Sequence, residues 1–176
     1  MTIRHRKPNR WADCRYAGGI TYSITIVVNN GGWWFGEVVN GNMVLNEYGR
    51  FAEQCAQEIS RHFHYVILDC YMIMPNHIHL IVVIFDVGTA HALSLQHKTK
   101  TVDRKKLPLS NAIQGLKAAV SRHIRRSGHP DFKWQRSFHD HIIRDECELK
   151  TKRRYMKNNP RRWADNPNHA KVATWE

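Results

Sequence analysis

The sequence contains little of the material that secreted, membrane-spanning or disordered proteins need. Its 4 cysteines are widely scattered and lack the paired spacing of zinc sites: Cys14, Cys55, Cys70 and Cys147. Glycine (10) and proline (6) are too few in 176 residues for a long disordered segment. No apolar run approaches the roughly 20 residues that a bilayer span requires. No apolar stretch follows the basic residues 1–10 either, so a secretory signal is absent. We therefore expect a soluble intracellular protein without a membrane partner.

Acidic residues are also scarce. The chain has 15 Asp and Glu against 27 Lys and Arg, which gives a formal net charge of +12. Such an excess on a small chain favours a polyanionic partner, with nucleic acid ahead of an anionic membrane. The cations concentrate in four separate stretches that could line a groove: residues 4–10, 98–106, 122–126 and 150–162. A membrane-surface helix would need a wide apolar face opposite its cations, and the sequence offers none.

The length suits one globular domain with a real core. We assign it to residues 1–176, with a basic arm at about 1–15, a core at about 16–163 and an irregular tail at 164–176. The β-branched stretch 20–28 predicts a strand that ends at a turn, and 34–45 predicts a hairpin. Asn46 is the expected N-cap of a helix with apolar residues at every fourth position: Phe51, Cys55, Ile59 and Phe63.

Two nearly continuous apolar runs, 65–74 and 77–85, predict central antiparallel strands. The polar, basic segment 87–107 predicts a long loop. Ser110 is the expected cap of a second helix that Gly128 closes, with these residues on one face: Ile113, Leu116, Val120 and Ile124. Residues 132–144 predict a further strand.

A third helix is expected after residue 144. Asp145 and Glu148 resemble a capping box, and the helix carries Tyr155 before it runs into Pro160, where it is expected to end. Without the hairpin and this last helix, the order is βαββαβ. The fold class is therefore α+β: a ferredoxin-like antiparallel sheet with an inserted hairpin and a C-terminal helix that carries the tyrosine.

Among the 12 histidines, three pairs have His-x-His spacing: His62/His64, His77/His79 and His139/His141. Residues two apart on a strand point to the same face, so each pair could present two imidazoles to one cation. His62/His64 straddles a predicted helix end, where the shared face is lost. His77 and His79 begin a strongly apolar strand, where Ile78 can turn into the core while both histidines face out of it. From spacing alone, a metal site and a buried structural pair are equally open.

Tyr155 and Asn159 are four residues apart on the predicted third helix and so share a face. A helical tyrosine usually packs with its hydroxyl at the surface, and the position alone does not distinguish that role from a chemical one.

Three separated blocks together resemble a known family. Residues 74–80 (MPNHIHL) resemble the HUH motif, histidine–hydrophobic–histidine, of single-tyrosine transposases. Residues 134–144 (WQRSFHDHIIR) and 155–160 (YMKNNP) continue the match, and the last block resembles the family's Tyr-Ile-x-x-Asn-Pro. The chain is most similar to the REP-associated tyrosine transposases, bacterial relatives of the smallest insertion-sequence transposases. The blocks occur in the family's order and span about residues 16–163.

The resemblance implies an enzyme of the bacterial cytoplasm and nucleoid that acts on single-stranded DNA, often at a short imperfect hairpin. It implies that His77 and His79 hold Mg²⁺ or Mn²⁺, that Asn159 is a third ligand and that Tyr155 is the nucleophile. Relatives may carry Gln or His at the position of Asn159. Members differ in whether the tyrosine helix serves its own subunit or a partner's, so a homodimer is one arrangement that the resemblance allows.

DNA binding is expected to follow the charge. The candidate contacts are Arg4, Arg6, Arg10, Arg122, Arg125, Arg136, Arg153, Arg154 and Lys157. Unpaired bases need stacking platforms, for which Trp33, Trp34, Trp134 and Trp163 are available, although each is first expected to pack in the core or hairpin.

Three other functions remain open from the sequence. A basic ferredoxin-like domain could bind DNA or RNA hairpins without any chemistry. A replication initiator or relaxase of the HUH class is usually larger than this chain. A hydrolytic metal nuclease would cleave without Tyr155.

Overall fold

The computed structural model describes residues 19–85 and 108–164. The predicted arm at 1–15, the predicted loop at 87–107 and the tail beyond residue 164 lie outside the described residues. The strands are β1 (Gly19–Val27), β2 (Gly36–Val39), β3 (Asn42–Leu45), β4 (Val66–Met74), β5 (His77–Phe85) and β6 (His139–Ile142). The helices are α1 (Glu47–Gln57), α2 (Ile59–His62), α3 (Pro108–Arg126) and α4 (Glu146–Ala164), and a 3₁₀ turn covers Asn29–Gly31.

Four strands form one antiparallel sheet in the order β4-β5-β1-β6, and β2 and β3 form a separate hairpin. Without the hairpin and α4, and with α1 and α2 counted as one helical segment, the elements follow one another along the chain as βαββαβ. This is the ferredoxin-like unit, so the predicted fold class is confirmed. Paired residues on adjacent strands place Met72, His79, Thr25 and His139 in one row across the sheet. Two members of this row, Thr25 and His79, belong to the candidate active site.

Alternation along β5 divides its side chains between two faces of the sheet. Ile78, Leu80 and Val82 are completely buried in the main core, together with residues of α1 and α3. On the other face, Ile81 packs with α4 in a smaller cluster of Ile143, Leu149 and Met156. The sheet therefore separates the main core from α4, and His77 and His79 lie on the side of α4.

Several predicted boundaries shift in the structure. Asn46 caps α1 as expected, because its side chain accepts a hydrogen bond from the Gly49 amide at 2.9 Å. The single predicted helix through Phe63 is interrupted at Glu58, and α2 is a separate short turn. The prediction that Ser110 caps the next helix was wrong, since α3 begins at Pro108, and proline suits a first helical position. Gly128 follows the end of α3 with a positive φ of 96°, as predicted.

Residues 132–144 do not form one strand. Only His139–Ile142 pairs with β1, and an isolated bridge joins Val28 to Trp134. The intervening segment contacts both β1 and α3. The Gln135 amide donates to the carbonyl of Val27 at 2.9 Å, Lys117 donates to the carbonyl of Gln135 at 2.7 Å, and the Trp134 side chain donates to the carbonyl of Lys117 at 3.0 Å.

The start of α4 confirms half of the predicted capping box. The Asp145 side chain accepts a hydrogen bond from the Glu148 amide at 2.8 Å, whereas Glu148 accepts from the amide of Arg144 rather than that of Asp145. The predicted end at Pro160 was wrong, because α4 continues to Ala164. Proline removes only one helical hydrogen bond, and the continuation is held by packing, since Pro160 is buried and Trp163 contacts other rings. None of the described helices is long and apolar enough to cross a membrane.

A substitution of Gly49 would test how tightly α1 packs against the residue that precedes the hairpin. In an exposed helix, Gly→Ala stabilises by about 0.5–1 kcal/mol. A Cβ at Gly49 would lie 2.1 Å from the backbone oxygen of Phe35, which cannot move alone. We expect Gly49→Ala to lower the free energy of unfolding by about 1–3 kcal/mol, as measured by urea denaturation. Gly115→Ala in α3 is the control, because its Cβ would meet only the outer end of the Phe63 side chain and no backbone atom. Equal stability of the two variants would contradict this expectation.

Candidate active site

The imidazoles of His77 and His79 meet on the face of β5 that α4 covers. Their Nε2 atoms are 3.0 Å apart, and the two rings are nearly perpendicular at 83°. His79 is 4% exposed. Thus the two side chains that share a strand face also direct the same ring nitrogen to one point.

Hydrogen bonds to the other ring nitrogens fix the tautomers. Asn76 Oδ1 lies 2.7 Å from His77 Nδ1, and an amide oxygen can only accept, so this Nδ1 carries a proton. Thr25 Oγ1 lies 2.9 Å from His79 Nδ1, and Asn159 Nδ2 lies 2.9 Å from His79 Nε2, which can only donate to it. This assignment, made from the hydrogen-bond network, leaves both Nε2 atoms with a lone pair that points into the site.

The surroundings keep both imidazoles neutral at pH 7. Burial, with the charge of Lys152 as a second cause, lowers the pKa of His79 from 6.5 to about 4, although the Ile24 backbone acts in the opposite direction. Burial lowers the pKa of His77 well below 6.5 as well, and the neighbouring His79 adds to the effect. Neutral imidazoles are the form that binds metal ions.

The donor set suits a divalent ion. Two lone pairs 3.0 Å apart repel each other unless a proton or cation lies between them. Adjacent ligands of an octahedral ion with bonds of about 2.1 Å are also separated by roughly 3 Å. With an ion in place to accept the lone pair of His79 Nε2, the amide nitrogen of Asn159 would no longer be needed as a donor, and rotation of this buried amide would present its oxygen at the same point. Among the described residues no three His, Cys, Asp or Glu side chains cluster, and the third polar side chain at this point is the amide of Asn159.

Tyr155 lies on α4 one helical turn before Asn159. Its ring centroid is 5.9 Å from that of His79, with the planes at 78°. The guanidinium carbon of Arg162 lies 5.5 Å from the same ring centroid. Tyr155 is partly buried against the smaller cluster that contains Ile81 and Met156. The helix therefore brings the tyrosine and the amide to the histidines together.

Two kinds of contact hold α4 in this position. Leu149 and Met156 are buried against Ile81 of β5, and Arg153 forms an ion pair with Asp69 of β4 through its Nε and guanidinium nitrogens, with Nε at 2.9 Å. This ion pair with the carboxylate raises the pKa of Arg153 further. Asp69 lies where the pairing of β4 with β5 shifts register, which marks a local irregularity of the strand.

Comparisons with known proteins show which family the chain belongs to and which fold it shares. No family model matches its sequence. An uncharacterized protein of Haemophilus influenzae is 33% identical over 164 residues, which cover 92% of this chain and 91% of the relative. The chain belongs to the family of that protein. A solved REP-associated tyrosine transposase bound to a REP hairpin superposes with a TM-score of 0.52 at 16% identity, over 95% of this chain and 81% of the other. The chain has the fold of this transposase, as the sequence resemblance implied.

A structure described as a transposase candidate from Deinococcus radiodurans gives a TM-score of 0.47 at 13% identity, over 81% of this chain and 92% of the other. That score lies below the range that establishes a common fold.

The residues predicted to contact DNA are not all near the histidines. Arg154 and Lys157 are exposed on α4, and Arg136 is exposed before β6. Arg153 is engaged with Asp69. Arg122 and Arg125 lie on α3, behind the sheet, and Arg125 donates to the carbonyl of Phe132 at 2.9 Å and 3.1 Å. Arg4, Arg6 and Arg10 lie outside the described residues.

The other histidine pairs have other surroundings. His62 is exposed, 3.8 Å from the Glu58 carboxylate. His139 and His141 are exposed on β6, and His141 Nε2 lies 2.6 Å from Glu148 Oε1. Sequence reasoning missed the two residues that orient the central pair. Asn76, which directly precedes His77, could have been noticed, but Thr25 becomes visible only through the register of β1 with β5.

Proposed function

We propose that the chain is a metal-dependent transposase. It cleaves and rejoins single-stranded DNA at hairpin or palindromic repeat sites, through a covalent 5′-phosphotyrosine. The observation that carries this proposal is the convergence of two neutral imidazoles, a buried amide and a tyrosine ring at one point. The family resemblance of the three sequence blocks and the shared fold support it.

His77, His79 and Asn159 would hold Mg²⁺ or Mn²⁺ through two imidazole nitrogens and an amide oxygen. Bound there, the ion would supply Lewis acidity to the scissile phosphate. Asn76 and Thr25 hold the imidazoles in the tautomer that such binding requires. The low pKa of His79 keeps its Nε2 unprotonated across the physiological pH range.

Tyr155 is the proposed nucleophile. Its phenolic oxygen forms a bond to phosphorus while the bond from phosphorus to the 3′ oxygen breaks, and the proton lost by the phenol is balanced by one gained at the 3′ oxygen. The phosphotyrosine conserves the energy of the phosphodiester. A 3′-hydroxyl of another strand can therefore reverse the step and join DNA without ATP. Since Tyr155 lies beside His79 of its own chain, the geometry supports action within one subunit.

Exposed cations on α4 would bind phosphates of the same strand. Arg154, Lys157 and Arg162 are exposed, and Arg162 lies over the Tyr155 ring. If six to ten phosphates are contacted, DNA affinity should fall by roughly 10³–10⁵-fold between 50 and 200 mM salt.

The test is a covalent-capture assay. The full chain is incubated with hairpin DNA that carries a single-stranded flank, with Mg²⁺, Mn²⁺ or EDTA, and the products are separated under denaturing conditions. We expect a protein–DNA adduct that retains a 3′ label, while the released 5′-labelled fragment carries a 3′-hydroxyl that a polymerase can extend. Hairpin binding with no adduct in either metal, over a panel of hairpins, would instead indicate a binding module.

Thr25→Val tests the orientation of His79. The variant keeps the shape of the side chain and removes the hydroxyl that lies 2.9 Å from Nδ1. We expect the affinity for Mn²⁺ to fall by about 10- to 100-fold in calorimetric titration, because partners of ligating imidazoles typically contribute that much. Thr25→Ser, which keeps the hydroxyl, is expected to retain most of the affinity. Equal affinities in the two variants would show that Thr25 has no such role.

A further inference from the structure

The segment between β1 and β2 carries three consecutive aromatic residues in different environments. Phe35 is completely buried in the core, and Trp34 packs against Phe132, with ring centroids 5.0 Å apart. Trp33 is 54% exposed, the most exposed large apolar side chain among the described residues. The two neighbours anchor the segment, and Trp33 is displayed at the surface.

Backbone hydrogen bonds fix this segment relative to the active site. The Val28 amide donates to the carbonyl of Asn76 at 2.9 Å, and the Phe35 amide donates to the carbonyl of Pro75 at 3.0 Å. Both ends are therefore held by the turn between β4 and β5. The same turn orients His77 through the Asn76 side chain. The position of Trp33 is thus coupled to that of the first imidazole.

A row of aromatic rings connects Trp33 to the site. Its centroid is 6.2 Å from that of Trp163, which in turn is 5.7 Å from the centroid of His77. Trp163 lies in the last turn of α4, directly after the exposed Arg161 and Arg162. An exposed indole and a supporting ring therefore lie beside the imidazole pair, and Arg162, which lies over the Tyr155 ring, adds a cation on the same side.

We propose that Trp33, supported by Trp163, is the stacking platform for an unpaired base next to the cleaved phosphate, an inference that rests on the proposed function. Stacking on an aromatic face suits single strands because every base has a π-face, and nearby cations bind the backbone. A second copy of this chain could also cover an exposed indole. Arg162, on the same turn of α4 as Trp163, and the net charge of +12 favour a polyanion over a like-charged copy.

The experiment is an abasic scan in which the full chain binds hairpin DNA. Affinities are measured by fluorescence anisotropy in EDTA, so that no cleavage occurs, while single bases of the unpaired flank are removed in turn. In the unaltered protein, removal of the base at one position of the flank should weaken binding by about 5- to 150-fold. Trp33→Ala should weaken binding to intact DNA by a similar factor and should make that abasic position silent. Trp33→Phe should restore part of both effects.

Val44→Ala is the matched control, because Val44 is an apolar side chain of the hairpin with 50% exposure. It should reproduce the scan of the unaltered protein. An unchanged scan in Trp33→Ala would overturn the proposal, as would loss of a dimer in that variant by sedimentation. The scan depends on neither metal nor Tyr155, so it tests the platform separately from the chemistry. If Trp33→Ala removes the effect of the missing base but the covalent-capture assay yields no adduct, the transposase function is rejected and the base-stacking role of Trp33 is retained.

Discussion

Tyr155→Phe is expected to reduce adduct formation by roughly 10⁴-fold or more, since removal of an enzymatic nucleophile typically has an effect of this size. The substitution removes only the phenolic oxygen that is proposed to attack phosphorus. The ring remains, and with it the packing against the smaller cluster that contains Ile81 and Met156. The measurement is a single-turnover time course with labelled hairpin DNA and Mn²⁺. DNA affinity and the midpoint of thermal unfolding should stay close to those of the unaltered chain.

Tyr71→Phe provides a matched control for this prediction. Tyr71 lies on β4, and its hydroxyl contacts Gln57 and Glu53 on the opposite side of the sheet from α4. Loss of this hydroxyl should leave adduct formation within a few-fold of the unaltered rate. If Tyr155→Phe still cleaves DNA at a comparable rate, the nucleophile is a water molecule and the chain is a hydrolytic nuclease.

His79→Ala is expected to lower the affinity for Mn²⁺ by more than about 100-fold, beyond the effect of a lost supporting hydrogen bond. His79 is the residue on which the site converges, because it contacts His77, Asn159 and Thr25. Its loss removes one imidazole donor and also the hydrogen-bond partner of the Asn159 amide. Calorimetry with Mn²⁺ measures the affinity directly, and adduct formation should fall with it.

His139→Ala is the control, since His139 belongs to an identical His-x-His pattern in the same row of the sheet. It is exposed on β6 and does not belong to the group of His77, His79 and Asn159, so the affinity for Mn²⁺ should not change. If both variants bind Mn²⁺ as tightly as the unaltered chain, the central pair is a structural one and the metal is held elsewhere. Circular dichroism should show that both variants are folded.

Much of the fold could be predicted because its signals are local. Apolar runs separated by Pro75-Asn76 identified β4 and β5, and alternation correctly placed Ile78 in the core with both histidines on the other face. Asn46 and Asp145 were recognised as caps because a cap depends on residues within one turn of the helix. The fold class followed from the βαββαβ succession. The prediction that β4 and β5 are both central strands was wrong for β4, which lies at the edge of the sheet.

The errors have a common physical origin in contacts between distant segments. The helix was expected to end at Pro160, but Trp163 gains aromatic neighbours from two other parts of the chain, and these contacts favour continuation. Arg153 forms an ion pair with Asp69, 84 positions earlier, and the charge of Arg153 alone did not indicate this partner. Thr25 reaches His79 only because β1 pairs with β5 in one particular register. Neither periodicity nor spacing encodes such pairings.

Helix α4 carries both Tyr155 and Asn159, one turn apart. Their spacing is therefore set by the rigid helix and does not depend on how any loop closes. If α4 separates from the sheet, the proposed nucleophile and the proposed third donor leave together, so the undocked state would lose both the proposed chemistry and the proposed metal affinity in one step. By thermodynamic linkage, an ion bound by all three donors would in turn hold α4 against the sheet and oppose its detachment. Cofactor loading and activation would then be one and the same equilibrium.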